Sequence, residues 1–241
     1  MVNGYPFAYE EGFVHRACEL LRERGLNIEP LREAPAKTTQ LDRIAAVIER
    51  EAPGAVVLQI GGLETVVLLE DVLRRRLGLA VPSRSYSNHL HTSPFRDWKT
   101  YARWRAVMAA KRVADTLLGH PIVDFAEYRR NLRQALELVR DRTRGPVLTL
   151  GLFPSVEPVS RHYRSRLEPI FAEETQRAGV AYLSTAAAWQ AAGKPSDIFH
   201  DSLHLNVRGH QWLAPPVASA LHECLRGHTT PVHAHMRASG G

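Results

Sequence analysis

A chain of 241 residues, 44% of them hydrophobic, can bury one substantial core, so we expect a single domain that spans residues 1–225. The net charge of +6 does not predict nucleic-acid binding, because the basic residues are spread along helical patterns and do not alternate with aromatic residues in one stripe. No segment approaches the roughly 20 consecutive apolar residues of a membrane-spanning helix, so we expect no membrane span.

Short β-type segments alternate with longer helical patterns, which is typical of βαβ units and of a parallel sheet covered by helices on both faces. The predicted strands are 26–30, 55–61, 147–152 and 180–183. The predicted helices are 11–24, 40–51, 65–77, 96–118, 125–142, 161–178 and 209–225. These elements predict an α/β fold, a three-layer α/β/α sandwich with a mostly parallel central sheet.

Two segments interrupt this alternation. Residues 78–95 are rich in Ser, Pro, Asn and His, so we expect a loop there, which together with the next helix forms an inserted cap over residues 78–120. Residues 226–241 have little apolar content, so we expect a disordered tail after the domain. The histidines of this tail lack the companion ligands of a zinc site, and we assign them no metal.

One segment carries a pattern of chemical interest. Residues 199–214 read F-H-D-S-L-H-L-N-V-R-G-H-Q-W-L-A and lead into an apolar helical pattern. Asp201 and His204 are three residues apart in a predicted tight turn, so the carboxylate can reach one ring nitrogen while the other faces a pocket. A D-x-x-H pair alone is also explained by chance or by helix capping. We therefore consider the whole segment.

The segment D-S-L-H-L-N-x-x-G-H-x-x-L-A resembles the last conserved block of the SGNH (GDSL-like) hydrolase superfamily. This resemblance implies a flavodoxin-like sheet and a Ser-His-Asp triad in which Asp201 orients His204. It implies a serine-type ester hydrolase that acts on a small-molecule, acylated or carbohydrate ester and needs no metal or organic cofactor. His210, later in the block, lies on the helix that follows, so we expect it to be a packing residue or to support the catalytic residues, and to take no part in the triad.

The start of the chain, M-V-N-G-Y-P-F, is similar to the residues that follow the nucleophile in this family, G-D-S-x-x-x-G-Y-P-F. Aligning Gly4 with the second glycine puts the serine immediately before Met1. The resemblance therefore implies a start truncated just after the serine, with the first strand missing, and an inactive polypeptide as given. Such a polypeptide would be cytoplasmic, but a secretion signal could have been lost with the preceding residues, so localisation stays open.

The oxyanion-hole region implied by the resemblance comprises Ala36, Gly62 and Leu63. Leu63 follows a predicted strand at the position where the family has an asparagine, and the leucine side chain has no hydrogen-bond donor. The loss of one such donor costs about 2.7–4 kcal/mol of transition-state stabilisation. Lys37 could replace the missing donor, although an exposed lysine near a helix start is the simpler interpretation.

Two alternative functions stay open: an inactive pseudo-hydrolase that serves as a binding protein, and an acyltransferase on the same fold.

Overall fold

The structure is a computed structural model that describes residues 8–31, 37–66, 78, 93–117, 123–185, 195–201 and 204–234. Its strands are β1 (Val56–Leu58), β2 (Val147–Leu150) and β3 (Ala181–Leu183). Its helices are α1 (Phe13–Glu23), α2 (Leu41–Glu51), α3 (Trp98–Leu117), α4 (Phe125–Arg142), α5 (Pro158–Ala178), α6 (Pro195–Ile198) and α7 (Val207–Ala234), with 3-10 turns at Tyr9–Glu11 and Leu63–Thr65. None of these helices combines the length and the apolar character that crossing a bilayer requires.

The three described strands form one parallel sheet in the order β1-β2-β3. Val56 pairs with Val147, and Leu148 pairs with Ala181. Each crossover between these strands contains a helix, as parallel strands require. The α/β fold with a parallel central sheet, predicted from the alternation of elements, is confirmed.

Side chains of the strands alternate between two hydrophobic cores, one on each face of the sheet. Leu148 and Leu150 of β2 join α1 and α7 in one core, whereas Val147 joins α2, α4 and α5 in the other. This period of two follows from strand geometry and separates the helices into two outer layers. The first core includes Phe13, Ala17, Leu21, Leu213, Ala214 and Val217, and the second includes Ile44, Ile48, Leu132, Leu136, Leu167 and Phe171.

Helix boundaries follow local chemistry where the sequence supplies a clear cap. The Asp124 carboxylate accepts hydrogen bonds from the backbone N–H groups of Ala126 and Glu127 at 2.9 and 3.0 Å, which starts α4. Helix α5 begins at Pro158 and is capped after Ala178 by Gly179, whose φ of 66° is the left-handed conformation that glycine adopts easily. Both helices therefore agree closely with the predicted segments 125–142 and 161–178.

The predicted strand 26–30 is wrong, because these residues form no strand in the structure. The Ile28 carbonyl accepts a hydrogen bond from Arg22 Nε at 2.8 Å, and no described strand pairs with the segment. A strand is stable only with a ladder partner, which a sequence pattern cannot supply. The predicted helix 65–77 cannot be compared over 67–77, which lie outside the described residues; Thr65 itself belongs to a 3-10 turn.

Two segments outside the alternating pattern, the expected cap at 78–120 and the expected tail at 226–241, can be compared with the structure in part. Within the expected cap, α3 agrees with the predicted helix 96–118, while residues 79–92 lie outside the described part of the chain. Helix α7 continues to Ala234, so residues 226–234, which were predicted to belong to the disordered tail, are helical. Propagating an anchored helix adds one hydrogen bond for each residue that is ordered, so weak apolar content does not by itself end it. Residues 235–241 are not described.

Candidate active site

A tight loop between α6 and α7 holds Asp201 and His204. Phe199 and Leu205 form an antiparallel bridge, and the His200 N–H donates to the His204 carbonyl at 2.8 Å. The Asn206 N–H donates to the Ile198 carbonyl at 2.9 Å. These backbone hydrogen bonds clamp both ends of the loop, so the side chains that project from it have a defined direction.

The Asp201 carboxylate makes two hydrogen bonds to the same histidine. Its Oδ1 accepts from the His204 backbone N–H at 2.7 Å, and its Oδ2 lies 2.7 Å from His204 Nδ1. An ionised carboxylate can only accept, so Nδ1 carries the proton and Nε2 is the basic nitrogen of the ring. The Asp201 side chain is wholly buried, whereas 17% of the His204 side chain is exposed. The pair predicted from the D-x-x-H spacing is therefore in contact, and its carboxylate is shielded from water.

The start of α7 fixes the far side of this loop. Asn206 is its N-cap residue: the side-chain Oδ1 accepts from the Gly209 N–H at 2.9 Å, and the side-chain Nδ2 donates to the Asp197 carbonyl at 3.0 Å. A Cβ at Gly209 would collide with the Ile198 carbonyl oxygen, so this close approach requires glycine. Neither positioning role was predicted from the sequence, although an Asn before an apolar helical pattern is a recognisable capping signal.

His210 lies in the core between α1 and α7, as the sequence analysis expected of a packing residue. The Phe13 N–H donates to His210 Nδ1 at 3.3 Å, and the two rings stack with centroids 5.9 Å apart. Burial lowers the pKa of His210 to about 4, from an ordinary value of 6.5. The ring is therefore neutral at physiological pH, and protonation of Nδ1 would break its hydrogen bond with Phe13.

We expect His210 to make folding stability depend on pH. In the unfolded chain His210 takes up a proton near pH 6.5, whereas in the folded protein it does so only near pH 4. The contribution of neutral His210 to the free energy of unfolding is therefore fully present above pH 6.5 and is lost as the pH falls toward 4. The loss is about 3 kcal/mol over this window. Urea unfolding at several pH values should show a shallower dependence for His210→Gln, whose side-chain oxygen can still accept from Phe13. If the free energy of unfolding depends on pH equally steeply in His210→Gln and in the unmodified protein, this role of His210 is contradicted.

The residues that follow β1 lie at the carboxyl edge of the sheet, near His204. Gly61 has a φ of 83°, which lets the chain turn sharply as the strand ends. Gly62, Leu63 and His204 line one cavity of about 660 Å³. Two of the three predicted oxyanion-hole residues are thus brought to the same cavity as the imidazole, and Ala36 lies outside the described residues. Leu152 and Phe153, which follow β2, also line it.

A buried arginine that the sequence analysis missed joins the loops at this edge. Arg164 of α5, 4% exposed, donates from Nη2 to the Gly62 carbonyl at 3.1 Å and from Nε to Thr65 Oγ1 at 2.8 Å. Its Nη1 also donates to the Phe153 carbonyl. The side chain therefore holds the loop after β1 against the loop after β2. In the sequence it is one of many arginines in a helical pattern, with nothing to mark it as buried.

The turn at residues 37–40 is hydrogen-bonded to the loop that follows β1. The backbone N–H and the hydroxyl of Thr38 both donate to Glu64 Oε1, at 2.6 and 2.8 Å. Lys37 next to it is exposed, in agreement with the simpler interpretation of that residue. Among the residues that the structure describes, no three His, Cys, Asp or Glu side chains are grouped to hold a metal ion.

Comparisons with known proteins agree with this architecture. Neither a protein-family model nor a curated protein sequence matches the chain. Among solved structures, TesA superposes with a TM-score of 0.57 at 15% identity over 93% of this chain and 94% of its own. The esterase EstA from Pseudoalteromonas sp. gives 0.56 at 14% identity over 93% of both chains. Axe2, an acetylxylan esterase from Geobacillus stearothermophilus, gives 0.52 at 17% identity over 87% of this chain and 80% of its own.

These three neighbours are SGNH-type hydrolases. The chain has the SGNH hydrolase fold. At such low identities the likeness concerns the fold alone, and what this protein does must be argued from its own residues. In the SGNH fold of this chain, the Asp201–His204 pair lies at the carboxyl edge of a parallel sheet, where open α/β folds bind their ligands.

Proposed function

We propose that this protein hydrolyses carboxylic esters, with His204 as the general base and Asp201 as the carboxylate that orients it. The observation that carries the proposal is the 2.7 Å contact between Asp201 Oδ2 and His204 Nδ1, made by a wholly buried carboxylate to a ring that lines the cavity. The esterase neighbours support the same chemistry. Two Axe2 structures are of catalytic mutants in which a serine or a histidine is replaced by alanine.

The proposed mechanism uses His204 twice. Its Nε2 takes the proton of a nucleophilic hydroxyl as that oxygen bonds to the ester carbonyl carbon, and Asp201 stabilises the imidazolium that forms. The imidazolium then protonates the leaving alcohol as the ester C–O bond breaks, which leaves an acyl-enzyme. Water attacks the acyl-enzyme by the same steps and releases the acid. The serine that the sequence analysis expects before Met1 would be this nucleophile, and it stays a prediction.

The developing oxyanion needs donors at the same edge of the sheet. We propose that the loop after β1 provides one of them through the Gly62 backbone, because this loop lines the cavity together with His204. Arg164 is then a positioning residue, since its hydrogen bond to the Gly62 carbonyl fixes the orientation of that loop. The substrate class is an ester of a small molecule or an acylated carbohydrate, the latter being the kind of compound named for Axe2.

Labelling with a fluorophosphonate tests the proposal. Reading the codons before Met1 in frame shows whether they encode the expected serine, and the protein extended by these residues should be labelled covalently. Residues 1–241 alone should not react, and His204→Ala should abolish labelling of the extended protein. If the extended protein is folded and still unreactive, ester hydrolysis by this site is contradicted. The structure of EstA in an inhibited form with monoethylphosphonate supports the choice of a phosphonate probe.

A binding protein without catalysis is the second candidate, and Leu63 favours it. This side chain lines the cavity at the position where the resemblance expects a donor, and it can donate no hydrogen bond. Such a protein would keep the Asp201–His204 pair as a structural contact. It would bind an ester without turnover both before and after Leu63→Asn, whereas an esterase should gain turnover from that substitution.

A further inference from the structure

Helix α3 exposes large apolar side chains to the solvent. Among the described residues five large hydrophobic side chains are exposed, and four of them belong to α3: Trp98, Tyr101, Val107 and Val113. Trp98 is 74% exposed, more than any of the others. Single exposed apolar residues are ordinary, but a group of them on one element marks an interaction surface.

The opposite side of α3 attaches the helix to the domain. Met108 and Lys111 are buried on this side, and Lys111 Nζ lies 2.6 Å from Glu157 Oε1 at the start of α5. Trp104, one turn before Met108, packs against the core that also contains Phe199. The helix is therefore held through one narrow side, and its exposed apolar residues do not serve to cover the core.

Exposed apolar residues run along α3 in one line. Trp98 and Val113 mark its two ends, and the exposed alanines at 102, 106 and 109 lie between them. At 100° per residue these positions fall within about 80° of the helix circumference, roughly opposite the buried side. We call the five residues the α3 face; it is about 22 Å long.

Basic side chains border the α3 face on both sides. Arg105 and Arg112 lie along one border, and Lys99 and Arg103 lie along the other. All four are exposed. An apolar face between two rows of cations is typical of helices that lie in the surface of a membrane.

The acidic residues of this region lie away from the α3 face. Asp115 is the single carboxylate of the helix, and it accepts a hydrogen bond from the Tyr163 hydroxyl at 2.7 Å on the attached side. Asp97 directly before the helix caps it by accepting from the Thr100 N–H at 2.8 Å. The borders of the α3 face therefore carry positive charge.

An anionic lipid bilayer complements this arrangement of groups. A helix in the bilayer surface has lipid headgroups along both of its borders, where basic side chains meet negative charge. The indole ring of Trp98 suits the headgroup level, because it is apolar and carries one N–H donor. A protein partner would need carboxylates along both borders, and a single-stranded nucleic acid would need several aromatic rings for its bases, whereas the α3 face has one.

We infer that α3 binds this protein to the surface of an anionic lipid bilayer, with the α3 face inserted among the headgroups. The helix lies in the surface and keeps its attached side on the domain. This inference goes beyond ester hydrolysis. Binding is measured without turnover and does not require a nucleophile, so its failure and the failure of the proposed function are separate results.

Co-sedimentation of the 241-residue chain with lipid vesicles tests the inference. Vesicles with about 30% phosphatidylglycerol in phosphatidylcholine should bind at least about tenfold more tightly than pure phosphatidylcholine. Raising the salt to about 0.5 M KCl should weaken this binding, because salt screens the charges. Equal binding to both kinds of vesicle, or binding to neither, would overturn the inference. So would binding of a single-stranded oligonucleotide without binding of vesicles.

Charge variants show whether the borders of the α3 face cause the binding. Each basic residue near an anionic surface contributes about fivefold in affinity, so Arg103→Gln/Arg105→Gln should bind the anionic vesicles at least about tenfold more weakly. The matched control is Arg43→Gln/Arg144→Gln, which removes the same charge from exposed positions outside α3 and should stay within about threefold. Equal weakening of the two double variants would show attraction by net charge alone and overturn the role of α3.

Two further measurements test the apolar part of the contact. Lipids brominated on their acyl chains should quench the tryptophan fluorescence of the bound protein, and Trp98→Phe should lose most of this quenching. Unchanged quenching in Trp98→Phe would contradict insertion of the α3 face. Light scattering after size exclusion tests the rival occupant, a second copy of the chain: a dimer that Ala106→Glu dissociates, without vesicle binding, would overturn the inference. Far-UV circular dichroism verifies that all variants are folded.

Discussion

Replacing Asp201 by asparagine is expected to reduce kcat for ester hydrolysis by about 10⁴-fold. The asparagine amide can donate an N–H to His204 Nδ1, in place of the acceptor that now lies 2.7 Å from it. The ring would then carry its proton on Nε2 and could not take one from a nucleophile. Because asparagine has the size of aspartate, the loop between α6 and α7 should keep its structure.

The measurement is the hydrolysis of p-nitrophenyl acetate by the form of the protein that reacts with the fluorophosphonate. His204→Ala should lose a comparable part of kcat, and the double variant should be no worse than either single one, because the pair acts as a unit. The matched control is His222→Ala, a half-buried histidine on α7 that does not line the cavity and should leave kcat unchanged. An Asp201→Asn protein that keeps more than about a tenth of kcat would contradict the proposed role.

The substitution Lys111→Met is expected to destabilise the protein by about 3–5 kcal/mol. Lys111 Nζ of α3 lies 2.6 Å from Glu157 Oε1, and the two side chains are only 8% and 2% exposed. Without the ammonium, the Glu157 carboxylate would stay buried without this ion-pair partner. The contact also attaches α3 to the start of α5, together with a 2.7 Å hydrogen bond from Tyr163 to Asp115. The free energy of urea unfolding measures the loss.

Two further variants show whether the charge is the cause. Lys99→Met on the same helix replaces an exposed lysine and should change the free energy of unfolding by no more than about 0.5 kcal/mol. In the double variant Lys111→Met/Glu157→Gln no uncompensated charge is left, so part of the lost stability should return. If the double variant is as unstable as the single one, side-chain packing and not the ion pair explains the effect.

The sequence predicted the parts of this molecule that depend on neighbours in the chain. Strands β1 and β2 lie within the predicted segments 55–61 and 147–152, which are recognisable because a strand buried on both faces needs a continuous apolar run. The Asp201–His204 contact is recognisable because three residues in a tight turn bring two side chains together whatever surrounds them. The resemblance to SGNH hydrolases rests on the same short segment, and the structural neighbours agree with the fold that it implies.

Only the tertiary structure decided which distant residues meet. Arg164 binds carbonyls of two loops that precede it by many residues, and its helical pattern does not distinguish a buried guanidinium from an exposed one. The segment 26–30 has the composition of a strand and forms none, because a strand exists only through hydrogen bonds to another. The cavity beside β1 likewise depends on contacts between residues far apart in the chain. Local side-chain chemistry determines the elements and the catalytic pair, whereas ladder partners and burial depend on contacts between residues far apart in the chain.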